Sequence, residues 1–506
     1  MSCPATFPTN PKLVWANFYE LSQIPHPSRH EAALREHIIA KAQKLGCTCK
    51  TDAKGNLVVR VPASAGKENA APVIIQAHLD MVADQLPGRG FDFMHDPLVL
   101  KVENGQVMAD GTTLGADDGI GVAAALAVME DSSLVHPPLE LLFTVEEEIG
   151  LYGALAFDPS LFQGRRMINL DMEEWGSLDI GCAGSIQYFL QKEVKWKKAK
   201  QGLTPYRLTL AGLAGGHSGT EIHLGRANAI KLIAELLRAA QKAKLSFAIA
   251  ALQGGTAHNV IPRGGQVDLM INARQASKWL AVVGQKMEQW HNFLGEADQG
   301  LKIDFTPLED ESHRSLRAAP KNARGKKTAR KNLVLAPASQ QDLLTFLTLM
   351  PTGAYDYAWP PEGAVVNLSS NLAVVNLAAK CWQVTTSLRF LEAAQGEIWE
   401  EQIRVLAQTL GVKVKRNPGY PSWKPLFNGP LLKVATDCYT RLFKTKPQIK
   451  VIHAGLECGI FKSKISDMDM ISLGPSMVGV HSPREALDIV SVGQMWQLLA
   501  ALLAAL

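Results

Sequence analysis

Residues 138–150 read "PLELLFTVEEEIG", an apolar run that leads directly into three adjacent glutamates. A short apolar run between proline and glycine is typical of a buried strand. Three neighbouring carboxylates repel one another, so their place at the end of such a strand indicates a function. Successive side chains of a strand point to opposite sides, so the three can supply one ligand, one base and one solvated carboxylate. The run itself leaves open which glutamate takes which role.

The segments on either side alternate between strand and helix signals. "APVIIQAHLDMV" (71–82) is an apolar strand, and "LGADDGIGVAAALAVMED" (114–131) is a glycine-rich turn followed by an alanine-rich helix. "RRMINLDMEEWG" (165–176) is a further strand. This alternation of short buried strands and helices predicts a mostly parallel sheet covered by helices.

The pattern changes after about residue 185, where half-exposed strands alternate with amphipathic helices such as 226–243. The prolines of "NPGYPSWKP" (417–425) then interrupt the chain, and the first pattern returns. We therefore predict an α/β domain formed by residues 1–185 and 415–506. An α+β domain, residues 186–414, is inserted into it.

The composition excludes several classes of protein. The 506 residues are 47% hydrophobic and 20% charged, as in ordinary globular domains. We expect no signal peptide and no membrane partner, because the first twelve residues lack an apolar core and no apolar run is long enough to span a bilayer. Seven cysteines without a C-x-x-C pair argue against disulfides and zinc knuckles and favour the cytoplasm.

The net charge of +4 comes from one segment, residues 313–332, which carries eight Lys or Arg and no acid. Without those eight, 44 basic residues remain against 48 acidic ones, a net charge of −4. The segment has no hydrophobic periodicity, which favours a solvated low-complexity loop over a nucleic-acid arm. We expect no nucleic-acid partner.

The residues suited to chemistry share one position in the predicted fold. Most follow an apolar strand, and one lies in the turn before the alanine-rich helix: His78 and Asp80, Glu146–Glu148, Asp171, His481 after the strand at 468–473, and Asp117 in the turn. The carboxyl ends of parallel strands line one crevice, where ligands bind. Imidazoles and carboxylates without thiolates suit zinc or another first-row divalent ion. Two metals about 3.5–4 Å apart can share one carboxylate, while another carboxylate stays unligated to accept a proton.

Each motif also has a simpler explanation. "GADDG" (115–119) can be a turn in which Asp117 or Asp118 caps the next helix. "GGHSG" (215–219) can be a flexible turn. Residues 482–485 have the features of a helix start, with Ser as cap, Pro at the first position and Glu at the third. That explanation leaves His481 unaccounted for.

Eight motifs together resemble the M20 metallopeptidases, and among them the bacterial aminoacyl-histidine dipeptidases. In chain order they are "HLDMV" (78–82), "GADDGIGVA" (115–123), "EEEIGLYGA" (146–154), "NLDMEEWG" (169–176), "GGHSGTEIHLGRAN" (215–228), "GTAHNVIPR" (255–263), "IHAGLECG" (452–459) and "GVHSP" (479–483). The similarity covers nearly the whole chain. It implies that the α/β domain is catalytic and that the inserted domain is a lid through which the chain forms a homodimer.

The resemblance also assigns roles to residues. Asp117 would bridge two divalent ions, with His78 and Asp171 completing one and Glu148 and His481 the other. We expect zinc, with manganese and cobalt as alternatives.

The remaining assignments concern catalysis and the substrate. Glu147 would be the general base, Asp80 would orient His78 without touching the metal, and Glu146 would be solvated. His217 would donate to the oxyanion across the dimer interface. The expected substrate contacts are Arg226 and Asn259 for the carboxylate, Glu173 or Glu174 for the amino group, and His453 and Glu457 lining the site.

The implied activity is metal-dependent hydrolysis of dipeptides, Xaa-His and β-Ala-His among them, by a metal-bridged water with glutamate as base. A broad-specificity dipeptidase or an N-acyl amino acid deacylase are the alternatives within the family. A catalytically silent binding protein would lack a ligand or the base, and none is missing.

Overall fold

The computed structural model describes residues 7–308, 332–358 and 364–506. The chain forms two compact units: unit 1 comprises 1–183 and 420–506, and unit 2 comprises 184–419. The sequence analysis placed the two divisions at 185/186 and 414/415, within a few residues of these. The predicted basic loop lies, apart from Asn332, outside the described residues.

The helices and strands follow the chain in three stretches. In the first part of unit 1 they are α1 (Lys12–Ser22), α2 (Ala32–Lys44), β1 (Thr48–Thr51), β2 (Leu57–Val61), β3 (Val73–His78), β4 (Leu100–Glu103), β5 (Gln106–Ala109), α3 (Ala116–Glu130), β6 (Leu139–Thr144), α4 (Tyr152–Ala156), β7 (Arg166–Asn169) and β8 (Ser177–Cys182). In unit 2 they are β9 (Gly184–Glu193), β10 (Trp196–Lys198), β11 (Thr204–Ala211), α5 (Ala229–Lys242), β12 (Phe247–Gly254), β13 (Gly265–Ile271), α6 (Ala276–Phe293), β14 (Lys302–Pro307), β15 (Leu333–Leu335), α7 (Pro337–Leu349), β16 (Gly353–Ala358), β17 (Val365–Leu377), β18 (Cys381–Phe390), α8 (Ala393–Thr409) and β19 (Lys413–Arg416). In the second part of unit 1 they are α9 (Pro430–Phe443), β20 (Gln448–Ile452), α10 (Glu457–Lys464), β21 (Asp469–Ser472), β22 (Met477–Val478), β23 (Ala486–Asp488) and α11 (Ile489–Ala505).

Unit 1 contains an eight-stranded sheet in the order β1-β2-β6-β3-β7-β21-β8-β20. The central strands β6, β3, β7 and β21 run parallel to one another, while β2 pairs antiparallel to β6 at one side. The prediction of a mostly parallel sheet covered by helices is confirmed. Strands β4, β5, β22 and β23 form a second, antiparallel sheet.

The core of unit 1 explains its continuous apolar runs. Strands β3 and β6 are buried at every residue, as expected of strands covered on both faces. Helix α3 packs against α1 and β3, and almost all of its side chains are buried. An alanine-rich sequence suits such a position because small side chains let the helix lie close to its neighbours on every side.

Unit 2 is built on a nine-stranded antiparallel sheet. Its main path is β14-β11-β13-β12-β17-β18-β9-β19, with β16 paired to β17. Helix α5 buries one apolar face, with Leu232, Ile233, Leu236 and Leu237 in the core. The alternation of half-exposed strands and amphipathic helices therefore indicated the α+β class of this unit.

Within the described ranges, no helix has both the length and the apolar character needed to cross a bilayer.

Candidate active site

The parallel strands of unit 1 bring most of the predicted residues to one edge of the sheet. Strand β3 ends at His78, β6 at Thr144 and β7 at Asn169, and these three strands run in the same direction. Glu146–Glu148 follow β6, and Asp171 follows β7. Because parallel strands end on the same side, the side chains meet in one crevice, as the sequence predicted.

Asp117 occupies the centre of this crevice. Its Oδ1 lies 3.0 Å from Nε2 of His78, and its Oδ2 lies 3.0 Å from Nε2 of His481. One carboxylate thus faces two imidazoles that are far apart in the sequence. Asp117 is buried, whereas half of the His481 side chain is exposed, so solvent reaches the crevice from the His481 side.

Each of the two histidines faces a second carboxylate. Nε2 of His78 lies 3.6 Å from Oδ1 of Asp171, and Nε2 of His481 lies 2.9 Å from Oε2 of Glu148. The arrangement is therefore two groups of one imidazole and two carboxylates, with Asp117 common to both.

The spacing of these donor atoms suits divalent metal ions. Ligand atoms of His78, Asp117 and Glu148 lie within 4.8 Å of one another. Two ligand atoms of a tetrahedral zinc ion with bonds near 2.0–2.1 Å lie about 3.3 Å apart. The distances between imidazole nitrogens and carboxylate oxygens in the crevice, from 2.9 to 3.6 Å, lie on both sides of this value. Oε1 of Glu148 is buried and has no hydrogen-bond partner among the described residues, which favours a role as a metal ligand.

The two adjacent aspartates of "GADDG" have different surroundings. Asp118 is fully buried and accepts the backbone N–H groups of His78 (3.3 Å) and Gly121 (3.2 Å). Asp117 instead faces the histidines. Asp117 and Asp118 have non-helical backbone angles at the start of α3, and the Asp118 carboxylate accepts the N–H of Gly121 three residues on, as an N-cap does. The simpler explanation of this motif as a helix cap therefore fits Asp118 and does not account for Asp117.

Asp80 supports the crevice in a way that the sequence did not predict. Nδ1 of His78 contacts the main-chain oxygen of Asp80 at 2.9 Å, whereas the Asp80 carboxylate is 3.7 Å away. That carboxylate accepts the backbone N–H groups of Glu147 (2.9 Å) and Glu148 (3.2 Å) and the hydroxyl of Ser28 (2.7 Å). The carbonyl of Asp80 thus orients His78, and its side chain holds the glutamate turn.

The three consecutive glutamates have three different environments. Glu146, with φ 53°, pairs with Lys54 at 2.5 Å and is 17% exposed, so it is an ion-paired, partly exposed carboxylate. Glu148 is 5% exposed and faces His481. Glu147 is half-buried, and burial together with Asp171 raises its pKa well above the usual range.

Burial and crowding of charge govern the protonation of the crevice. Burial raises the pKa of both Glu148 and Asp171 to about 7. Burial would lower the pKa of His481, but Asp117 and Glu148 outweigh it and raise the value to about 11. Because metal ligands must be deprotonated, protons on His481, Glu148 and Asp171 compete with a cation for this crevice, and they compete more strongly as the pH falls.

Glu457 and His453 lie away from the solvent. Glu457 is 0% exposed at the start of α10, and its Oε2 accepts bonds from Thr144 (2.6 Å) and Gln76 (2.7 Å). Burial raises its pKa to about 8. His453 is also buried. Their contact with substrate stays a prediction, and this burial does not favour it.

Three further predicted residues, His217, Arg226 and Asn259, lie together in unit 2. The backbone N–H of His217 donates to Glu221, and the same carboxylate pairs with Arg226 at 2.8 Å. The main-chain oxygen of Asn259 accepts the N–H of Ser218. The guanidinium of Arg226 also donates to the carbonyl of Gly215, so this side chain helps to hold the His217 loop.

The sequence analysis missed three residues that support the crevice. Ser28 donates to Asp80, and the buried Glu31 accepts the backbone N–H of Glu146. Glu485 accepts the N–H groups of the Asp117 turn. No local pattern marks Ser28 or Glu31, since their partners are distant in the chain. Glu485 was considered only as part of a helix start at 482–485, and residues 480–484 form turns instead.

This fold and this group of histidines and carboxylates define a metal-dependent peptidase. The profile described as Peptidase family M20/M25/M40 matches residues 74–505, and the chain belongs to that family. It is 36% identical over 494 residues to the cytosol non-specific dipeptidase of Escherichia coli, covering 98% of this chain and 97% of that protein. The resemblance found in the motifs is confirmed, and the chain is a hydrolase that acts on peptide bonds.

Solved structures agree with the family. The aminoacylhistidine dipeptidase of Vibrio alginolyticus superposes with a TM-score of 0.84 and 33% identity, over 100% of this chain and 98% of that one. The aminopeptidase PepT of Bacillus cereus superposes with a TM-score of 0.55 and 15% identity, over 99% of each chain, which shows a shared fold.

Proposed function

We propose that the chain is a dipeptidase whose crevice holds two divalent metal ions. His78 and Asp171 would bind one ion, Glu148 and His481 the other, and Asp117 both. The observation that carries this proposal is the position of Asp117, whose two carboxylate oxygens each lie 3.0 Å from a different histidine. Zinc is the metal we propose, because two carboxylates and one imidazole per ion form a donor set typical of it, although manganese and cobalt accept the same set.

Glu147 is the general base of the proposed reaction. Bound metal supplies a Lewis acid that polarises the carbonyl of the peptide bond and lowers the pKa of water. Glu147 takes the proton from the attacking water and delivers it to the nitrogen of the departing amino acid as the C–N bond breaks. The backbone N–H of Glu147 donates to Asp80, which holds the turn that carries this carboxylate.

We propose that Glu173 receives the free amino group of the substrate. Glu173 is exposed at the crevice, and the carboxylates of Asp117 and Glu148 lie near enough to act on its charge. Glu174 instead pairs with Lys450 at 2.7 Å. A cationic amino group beside Glu173 would relieve the repulsion among these carboxylates, which favours unblocked peptides over N-acyl amino acids.

Replacing Glu173 tests this assignment. Glu173→Gln should raise the KM for unblocked dipeptides about tenfold with little change in kcat, because a hydrogen bond to a charged group is lost in ground and transition state alike. Steady-state kinetics on one dipeptide measure both constants. Glu174→Gln is the matched control and should leave KM unchanged; the reverse pattern would assign the amino group to Glu174.

The names of two relatives support proposals on specificity and location, and the resemblance of the motifs supports a proposal on assembly. The Vibrio relative is named an aminoacylhistidine dipeptidase, and the Escherichia coli relative a cytosol non-specific dipeptidase. We propose that Xaa-His dipeptides, β-Ala-His included, are substrates, and that the protein is a cytoplasmic homodimer formed through unit 2. A broad-specificity dipeptidase is the second candidate, favoured by the name of the Escherichia coli relative.

A hydrolysis panel tests the proposed function. The purified protein is assayed on β-Ala-His, other Xaa-His dipeptides, dipeptides without histidine and N-acetyl amino acids, each with zinc, manganese and cobalt. We expect cleavage of unblocked dipeptides, no cleavage of N-acetyl amino acids, loss of activity on chelation and its return with added metal.

The panel also separates the alternatives. Faster cleavage of Xaa-His dipeptides would indicate histidine specificity, and equal rates would indicate broad specificity. Cleavage of N-acetyl amino acids alone would show a deacylase. Full activity in protein that elemental analysis finds metal-free would contradict the proposal.

A further inference from the structure

The carboxylate of Glu485 is bound by four consecutive backbone N–H groups. It is 3% exposed. Its Oε2 accepts from Leu114 (2.8 Å) and Gly115 (3.2 Å), and its Oε1 accepts from Ala116 (2.8 Å) and Asp117 (3.4 Å). These four residues form the turn that presents Asp117 to the two histidines. One side chain therefore fixes the backbone direction of the whole turn.

The same side chain belongs to the segment that carries His481. Glu485 closes the turn formed by residues 480–484, within which the N–H of Glu485 donates to the carbonyl of Ser482. His481 has φ 62°, a conformation that L-residues rarely adopt, so contacts around it must hold it. Glu485 thus joins the Asp117 turn to the His481 turn, although more than 360 residues separate them in the chain.

Other carboxylates also support turns of the crevice. Asp80 holds the N–H groups of Glu147 and Glu148, and Glu31 holds that of Glu146. Among the described residues, neither of these carboxylates hydrogen-bonds to Asp117 or His481. Glu485 differs because it joins two segments that carry proposed metal ligands. One segment carries Asp117, the ligand of both ions, and the other carries His481, a ligand of one ion.

A buried carboxylate beside Asp117 costs free energy. Glu485 adds a negative charge to a crevice that already holds Asp117, Glu148 and Asp171, and like charges in a low dielectric repel strongly. A neutral acceptor could satisfy some of the N–H groups but could not accept all four, because an amide has one oxygen and two N–H donors of its own. The Glu485 carboxylate therefore fixes the backbone of the turn and in return adds charge repulsion to the crevice.

We propose that Glu485 is a positioning residue that holds the Asp117 carboxylate between His78 and His481 and thereby sets the affinity of the crevice for both metal ions. The inference rests on the proposed two-metal function. Supporting residues that orient metal ligands typically change metal affinity about 10- to 100-fold when replaced.

Cobalt binding to Glu485→Gln tests the proposal. Metal-free wild type and variant are titrated with cobalt(II) against a competing chelator, and the visible spectrum of bound cobalt reports the ligand geometry. We expect both equivalents of cobalt to bind about 10- to 100-fold more weakly to Glu485→Gln, with a changed spectrum. At saturating cobalt, kcat should recover in part.

Glu140→Gln is the matched control. Glu140 is a buried carboxylate of unit 1 that also accepts two backbone N–H groups, from Gln163 and Gly164, but it lies in β6 near the opposite end of the sheet. This variant should lose thermal stability to a similar degree and bind cobalt as the wild type does. Weakened cobalt binding in both variants would show a general effect of stability and would overturn the proposal.

The remaining outcomes are also decisive. A folded Glu485→Gln protein with wild-type cobalt affinity and spectrum would overturn the positioning role and leave the proposed function intact. Failure of the wild type to bind two equivalents would instead contradict the proposed function. If Glu485→Gln is unfolded without metal, its melting temperature is followed as cobalt is added: rescue at high cobalt supports the proposal, and no rescue assigns Glu485 to folding alone.

Discussion

Glu147→Gln should retain both metal ions and lose about 10²- to 10⁴-fold in turnover, the range contributed by a general base. The amide has nearly the shape of the carboxylate, so the backbone contact between Glu147 and Asp80 is kept. It cannot accept the proton of the attacking water. Elemental analysis of the purified variant together with kcat on one dipeptide checks both parts of this expectation.

The two neighbouring glutamates provide controls for this variant. Glu148→Gln should lower the occupancy of one metal, because Glu148 faces His481 at 2.9 Å. Glu146→Gln should have little effect on turnover, because Glu146 pairs with Lys54 instead of entering the crevice. An inactive Glu146→Gln protein with both metals bound would mean that the roles are shifted by one residue.

His217→Ala should lose about 10²- to 10³-fold in turnover while both metals stay bound, as expected for the loss of an oxyanion donor. The structure supplies a local reason for proposing this role. The backbone N–H of Thr220 donates to Nδ1 of His217, so that nitrogen is the acceptor and Nε2 carries the proton. His217 is therefore held in the tautomer that can donate from Nε2.

Mixed dimers test whether His217 acts on the site of the partner subunit. Inactive Glu147→Gln and inactive His217→Ala protomers, mixed and allowed to exchange, should form heterodimers with one working site each. Random exchange would restore about a quarter of wild-type activity, because half of the dimers are mixed and each has one of two sites intact. Heterodimers that form and remain inactive would show that His217 acts within its own chain or is not the donor.

The parallel sheet and its row of candidate ligands could be predicted from the sequence. Apolar runs of about six residues precede His78, Glu146–Glu148 and Asp171. Such runs indicate buried strands, since burial on both faces removes polar residues from a strand. The rule that parallel strands end at one edge then brings these residues together. The division between the two units was less well defined. Strand β19 (Lys413–Arg416) still pairs with β9, a long-range contact that no local pattern reveals.

The residue types that gather at the edge of the sheet could thus be predicted from the sequence, because periodicity and strand ends are local properties of the chain. The packing of the folded chain then fixed which atoms meet. It placed Asp117 between two histidines, removed Glu457 from the solvent, paired Glu146 with Lys54 and brought Glu485 to the turn of Asp117. These contacts depend on side-chain directions and on segments hundreds of residues apart, which packing fixes and local sequence does not.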